Sequence, residues 1–182
     1  MCGKWAIRVS LLVVWLLIAA ALLAQSRSNT LNSQIVDAFN KTVGVYFQLL
    51  SKKDPLLTDH FTRIASDNFR CEWRDEETKD KKQWLDYLQR YLGEVTMQLR
   101  YEYEITAIKA ATLNRVVVRL SAVEIRLWKD ESGLFGPAGC TLEFREPLDV
   151  DVVLVYEKGE WKWEQFNLYG MGKRAFEQDA KH

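Results

Sequence analysis

From residue 97 onward the chain alternates between apolar and polar positions. Met97, Leu99, Tyr101, Tyr103 and Ile105 are separated by Gln98, Arg100, Glu102 and Glu104, the period of a strand with one wet face. After a turn around Leu113-Asn114, Val116, Val118 and Leu120 give way to Val123, Ile125 and Leu127. That change of phase near Ala122 predicts a β-bulge and a sharp bend. Leu148, Val150, Val152, Leu154 and Tyr156 form another strand, and Lys158-Gly159 offers a tight turn in which Gly supplies a positive φ. The chain returns through Trp161, Trp163, Phe166 and Leu168, where a second change of phase predicts a second bulge. The stretch Cys140–Gly170 therefore reads as a long hairpin at the centre of a strongly bent antiparallel sheet.

Upstream the period changes to that of helices. Ile35, Ala38, Phe39, Val43, Tyr46, Leu49 and Leu50 give one apolar stripe from about Ser33 to Ser51. Asp54-Pro55 opens a second helix with Leu57, Phe61 and Ile64 on its inner face. Phe69, Cys71 and Trp73 alternate with Arg70, Glu72 and Arg74 as a short strand, and the charged run Asp75–Lys82 reads as a solvated turn. Asp80 and Gln83 have the spacing of a capping box for a third helix, whose apolar face is Trp84, Leu85, Leu88 and Leu92 and whose end is Gly93. Helix, helix, short strand, helix, then a meander of long strands is an α+β arrangement.

The first 26 residues depart from this pattern. Lys4 and Arg8 precede Leu11–Ala24, an uncharged apolar run of about 14 residues. That length suits a signal-peptide core, whereas a spanning helix needs about 20. Ala24-Gln25-Ser26 supplies small residues for cleavage. The organisation expected is a signal peptide or retained signal anchor over 1–26, a polar linker over 27–32, one folded domain over 33–170 and a tail over 171–182. Either outcome exports the domain, as a secreted protein or as a type II membrane-anchored one with the domain lumenal or extracellular. Membrane association follows only if the N-terminal segment is kept. In an exported chain Asn40-Lys41-Thr42 is a glycosylation sequon, and Asn40 projects away from the apolar stripe.

Composition adds few constraints. The chain has 182 residues, 48% of them hydrophobic, and carries 25 basic and 25 acidic side chains. One globular domain fits, and no global field would attract nucleic acid. No Cys/His spacing points to a metal, and no cofactor motif is present. Cys2 leaves with the leader. The remaining pair, Cys71 and Cys140, permits a disulfide in an oxidising compartment.

Three segments, DHFTRIASDNF (59–69), KKQWLDYL (81–88) and VVLVYEKGEWKWEQF (152–166), in this element order resemble the NTF2-like (nuclear transport factor 2-like) superfamily. Its cone-shaped fold also includes SnoaL-like proteins and ketosteroid isomerase. The resemblance covers about 33–170. It implies a cone of three helices on a bent sheet, with a pocket between helices and concave face. The residues it would turn inward are Phe39, Tyr46, Phe61, Trp73, Trp84, Tyr101, Tyr103, Val118 and Trp163. They suit a small apolar or aromatic ligand, or they fill the core. The implied topology sets the short strand nearer the last strand than the one opening at Cys140, which speaks against a Cys71–Cys140 bridge.

Catalysis of the ketosteroid isomerase kind needs an acidic base and oxyanion donors. Alternation turns Glu102, Glu104, Asp149 and Asp151 outward, so no carboxylate is assigned to the concave face, a departure from enzymatic members. His60, Asp67 and Tyr101 remain as catalytic candidates. A structural His and an Asx turn are the ordinary readings of the first two. Val117, Val153 and Val155 are apolar on the outer phase, which suits a homodimer or protein-partner face of the kind the resemblance implies, or a patch under the C-terminal tail. Gly133–Pro137 is an apolar loop that suits a lid, a partner contact or an ordinary hairpin connection. The reading reached is a non-catalytic domain binding a small apolar ligand or a protein partner. The alternatives are an isomerase, hydratase or cyclase, and a structural homodimeric module.

Overall fold

A computed structural model describes residues 30–72, 78–112 and 114–167. Trp73, the proposed leader and the C-terminal tail lie outside the described residues. The chain divides into two compact units, Met1–Ala38 and Phe39–His182. The described part of the first, residues 30–38, is one helix, α1.

The second unit opens with a π-helical turn, Asn40–Gly44, running into α2, Val45–Lys52. The regular helix expected here is thus interrupted. Gly44 sits against the tip of the Tyr103 side chain: a Cβ on it would stand 3.1 Å from the Tyr103 hydroxyl. Phe47, absent from the apolar stripe read in the sequence, is buried beside Tyr101 and Tyr103. α3 spans Leu57–Ile64; before it, Asp54 Oδ1 accepts the Leu56 N–H at 2.9 Å and its carbonyl accepts the Leu57 N–H. α4, Lys81–Gly93, starts with the expected capping box. Asp80 accepts from the Gln83 N–H at 2.8 Å, and the Gln83 side chain accepts from the Asp80 N–H at 2.9 Å.

Among the described residues six strands form one sheet: β1 (Ala65–Glu72), β2 (Thr78–Asp80), β3 (Met97–Thr112), β4 (Arg115–Asp130), β5 (Cys140–Glu157) and β6 (Glu160–Asn167). Their order is β2-β1-β6-β5-β4-β3. The sheet is strongly curled and mixed rather than wholly antiparallel, because β1 runs parallel to β6. Lys158 and Gly159 both take positive φ, 52° and 89°, in the tight turn between β5 and β6.

Of the two expected bulges, one is present as read. Val153 pairs with Gln165 and Leu154 with Trp163, so Glu164 is the extra residue and both Trp163 and Phe166 become buried. The bulge expected at Ala122 is absent. β4 pairs with β5 from Arg115 to Asp130 without a shift, and the irregularities fall instead in β3, between Ile105 and Ala107 and between Ala110 and Thr112. The apolar phase of Val116, Val118 and Leu120 therefore continues through Ala122 to position 124.

The core gathers around Trp163. Its ring lies 5.0 Å from Tyr46, 5.3 Å from Phe69 and 4.9 Å from Phe166, all edge-on. Each such pair adds about 0.5–1.5 kcal/mol beyond area burial. Polar tips are satisfied: Trp84 Nε1 donates to the Tyr46 hydroxyl at 3.2 Å, and Tyr91 ties α4 to Leu50 of α2 and Leu99 of β3.

Candidate functional site

Because β4 keeps its phase, Glu124 points to the same side as Tyr101, its direct partner on β3. A buried carboxylate is costly unless donors replace its water. Glu124 is 3% exposed and has two such donors. The Tyr101 hydroxyl donates to Oε2 at 2.5 Å, and Arg126 Nε donates to Oε1. Arg126 Nη2 also reaches Glu146 on β5 at 3.4 Å. Burial first, and then the Glu124 charge and hydrogen bond, push the Tyr101 phenol well above its ordinary range, so its proton stays available for donation.

Glu124, Arg126 and Glu146 border a cavity of about 700 Å³. Glu124, Arg126 and Trp128 contribute from β4, Met97 and Leu99 from β3, Phe144, Arg145 and Glu146 from β5, and Tyr87 from α4. Trp128 and Phe144 are 48% and 57% exposed, so the apolar wall is open to solvent. Beyond Trp128, the Gly133–Pro137 loop is held in place by Asp130, whose carboxylate accepts from Ser132, Gly133 and Phe135. The Ser132 hydroxyl and these backbone N–H groups hold the Asp130 carboxyl below its usual range.

The residues singled out from the sequence are placed differently. Phe39, Tyr46, Phe61, Trp84, Val118 and Trp163 are buried in the packed interior, and none of them lines the cavity. Tyr103 packs its ring on Phe39 and Phe47, while Tyr101 reaches the cavity through Glu124. The rings fill the space under the helices, and the open volume lies at the β3–β5 end of the sheet.

His60, Asp67 and Tyr101 have separate partners and are not gathered into one site. His60 is buried, with Nε2 2.9 Å from the Thr42 carbonyl and Nδ1 3.1 Å from Arg63. A carbonyl only accepts, so Nε2 carries the proton and Nδ1 accepts from the guanidinium. The Asp67 side chain is 94% exposed and lies 3.6 Å from Lys81. Val117 and Val153 are cross-strand partners and fully buried within one chain; Val155 is half-buried. Asn40 is exposed in the π-helical turn. Cys71 is buried, Cys140 is half-buried, and both are free thiols. Among the described residues no three His, Cys, Asp or Glu side chains gather as a metal site, and no helix is long and apolar enough to cross a membrane.

Sequence reasoning missed Glu124, Arg126, Tyr87, Trp128, Phe144 and Glu146. The available signal was the unbroken even phase from Val116 to Trp128, which carries Glu124 and Arg126 inward when no bulge intervenes.

No protein-family model and no curated protein matches the sequence. Solved structures match the fold. A provisionally assigned scytalone dehydratase from Novosphingobium aromaticivorans has a TM-score of 0.60 at 12% identity, covering 75% of this chain and 84% of its own. ActVI-ORFA from Streptomyces coelicolor has a TM-score of 0.55 at 12% identity, covering 76% and 96%. An NTF2-like protein of unknown function in nutrient uptake from Rhodospirillum rubrum has 0.51 at 16%, covering 70% and 96%. The fold is the NTF2-like α+β cone.

Proposed function

We propose that this domain binds a small, largely apolar ligand in the cavity at the β3–β5 end of the sheet, without catalysis. The observation that carries the reading is Glu124, buried and held by Tyr101 and Arg126 behind an open aromatic wall. A cavity of this size, with apolar sides and a few convergent polar groups, suits a small organic molecule. Both Glu124 oxygens already accept from protein donors, which makes the carboxylate a fixed polar anchor.

Titration with Nile red, a neutral apolar dye, tests this reading. Saturable one-to-one binding is expected, weakened about tenfold by Trp128→Ala or Phe144→Ala, the loss expected for an aromatic anchor. Absence of saturable binding, or binding indifferent to both substitutions, sinks it.

The Tyr101–Glu124 hydrogen bond favours one second reading, proton transfer on a ligand in the same cavity by an isomerase, hydratase or cyclase. Its mark would be a ligand that Tyr101→Phe still binds but no longer converts. Export is proposed on the support of the Leu11–Ala24 apolar run after Lys4 and Arg8. Denaturing mass of protein secreted from eukaryotic cells reads the start residue and any glycan on Asn40. Retention of an unmodified, full-length chain in the cytosol overturns export.

A further inference from the structure

The helices meet one face of the sheet. Tyr46 of α2 and Phe61 of α3 pack on Trp163, and Trp84 of α4 packs on Phe166. Trp163 and Phe166 pair with Leu154 and Val152 of β5, so Val153 between them points to the opposite face, as does its partner Val117. A sheet with helices on one side ordinarily leaves its other face wet. Here Val117 and Val153 have no exposure at all, and among the described residues their cluster has no third member. On a bare face they would stay partly in water, so a further layer covers them.

Burial on that face runs to the point where the described chain stops. Asp151, two residues before Val153, is 4% exposed, and its partner Asn167, the last described residue, is 3% exposed. Asn167 therefore delivers the chain onto the covered face, about 8 Å from Val153 by strand geometry. Residues 168–182, LYGMGKRAFEQDAKH, belong to the same compact unit as the sheet. Extended, they reach about 50 Å, several times what is needed. Gly170 and Gly172 admit the positive φ that a sharp reversal requires, and Met171 and Phe176 supply apolar surface. We infer that the segment 168–182 folds back over the outer face and covers Val117 and Val153, with Phe176 as the main apolar contact. The face that the sequence suits to a homodimer is then closed by the chain's own tail, and the domain is monomeric while the tail is seated. This does not depend on the cavity, whose Trp128 and Phe144 lie toward the other end of β4 and β5.

Photo-crosslinking in the full chain tests this. Phe176→p-benzoylphenylalanine keeps an aromatic ring at the position. On irradiation it is expected to join residue 176 to the β4 or β5 peptides that hold Val117 and Val153, in a species of monomer mass. The same crosslinks confined to dimer mass assign the face to a second copy and overturn the inference, as does the absence of any crosslink to β4 or β5. Urea unfolding supplies a second readout. Phe176→Ala and Val153→Ala are each expected to lower the midpoint, and the double variant to lower it by less than the sum of the two shifts, because the two side chains share one contact. Shifts that simply add, or a Phe176→Ala midpoint equal to the parent's, overturn the inference.

Discussion

Across the β3–β4 ladder the Tyr101 hydroxyl donates to Glu124 Oε2 at 2.5 Å, and the two residues are direct cross-strand partners. This contact allows a carboxylate to occupy an inner position of β4 among Val118, Leu120 and Ala122. Tyr101→Phe removes one donor and leaves a buried charged oxygen short of a partner. The expected cost is about 1–3 kcal/mol, read as a lower urea midpoint at unchanged slope. An unchanged midpoint would mean that water replaces the hydroxyl.

Burial holds the Tyr46 and Tyr101 phenols above their ordinary 10.0 and the Cys71 thiol above its ordinary 9.0. A raised folded-state value means that the unfolded chain releases these protons first. Their contribution to stability is therefore complete below the ordinary values and is lost as pH rises through them toward the folded-state values. Denaturant unfolding is expected to be insensitive to these groups near neutrality and to weaken progressively above about pH 9. Stability that stays flat well above the ordinary phenol range contradicts this.

Gly159 has φ of 89° beside Lys158 at 52°, so both central residues of the β5–β6 turn are left-handed. Gly159→Ala forces a Cβ into that region and should cost about 1–2 kcal/mol, measurable as a drop in Tm. A Cβ there meets no atom within 4 Å, so a loss would report backbone strain and not a clash.

Val153 and Val117 face each other across β4 and β5 with no exposure to solvent. Val153→Asp places a charge where none is compensated, and a loss of about 3–5 kcal/mol is expected, seen as collapse of the circular dichroism melt. A variant that keeps the parental Tm and merely changes from dimer to monomer in sedimentation would assign this pair to an inter-chain face instead.

Local signals were legible in the sequence because their physics is local. The Asp80–Gln83 capping box needs four consecutive residues, and the Lys158-Gly159 turn needs two. The bulge at Glu164 was visible because Trp163 and Phe166 must both be buried and stand an odd number of positions apart. The order of helices and long strands was legible from periodicity, and the resemblance to the NTF2-like cone followed from that order.

The candidate site was not legible, for a different reason. Between Val123, Ile125 and Leu127 on one phase and Glu124 and Arg126 on the other, hydrophobicity alone assigns the inner face to the apolar set. The structure assigns it to the carboxylate, because Tyr101, 23 positions away, supplies the donor that offsets its desolvation. Aromatic content likewise showed that a core or a pocket could be built, but not which. That depended on where the helices stop along the sheet, so that rings such as Trp163 are enclosed while Trp128 and Phe144 stay exposed. Residue pattern alone indicated the main helices, the long strands and the turn at Lys158-Gly159, but it read as a solvated turn the charged run in which Thr78–Asp80 forms the short strand β2 against β1. Tertiary register decided which side chains meet, since the energy of a buried polar group depends on partners that are near only in space.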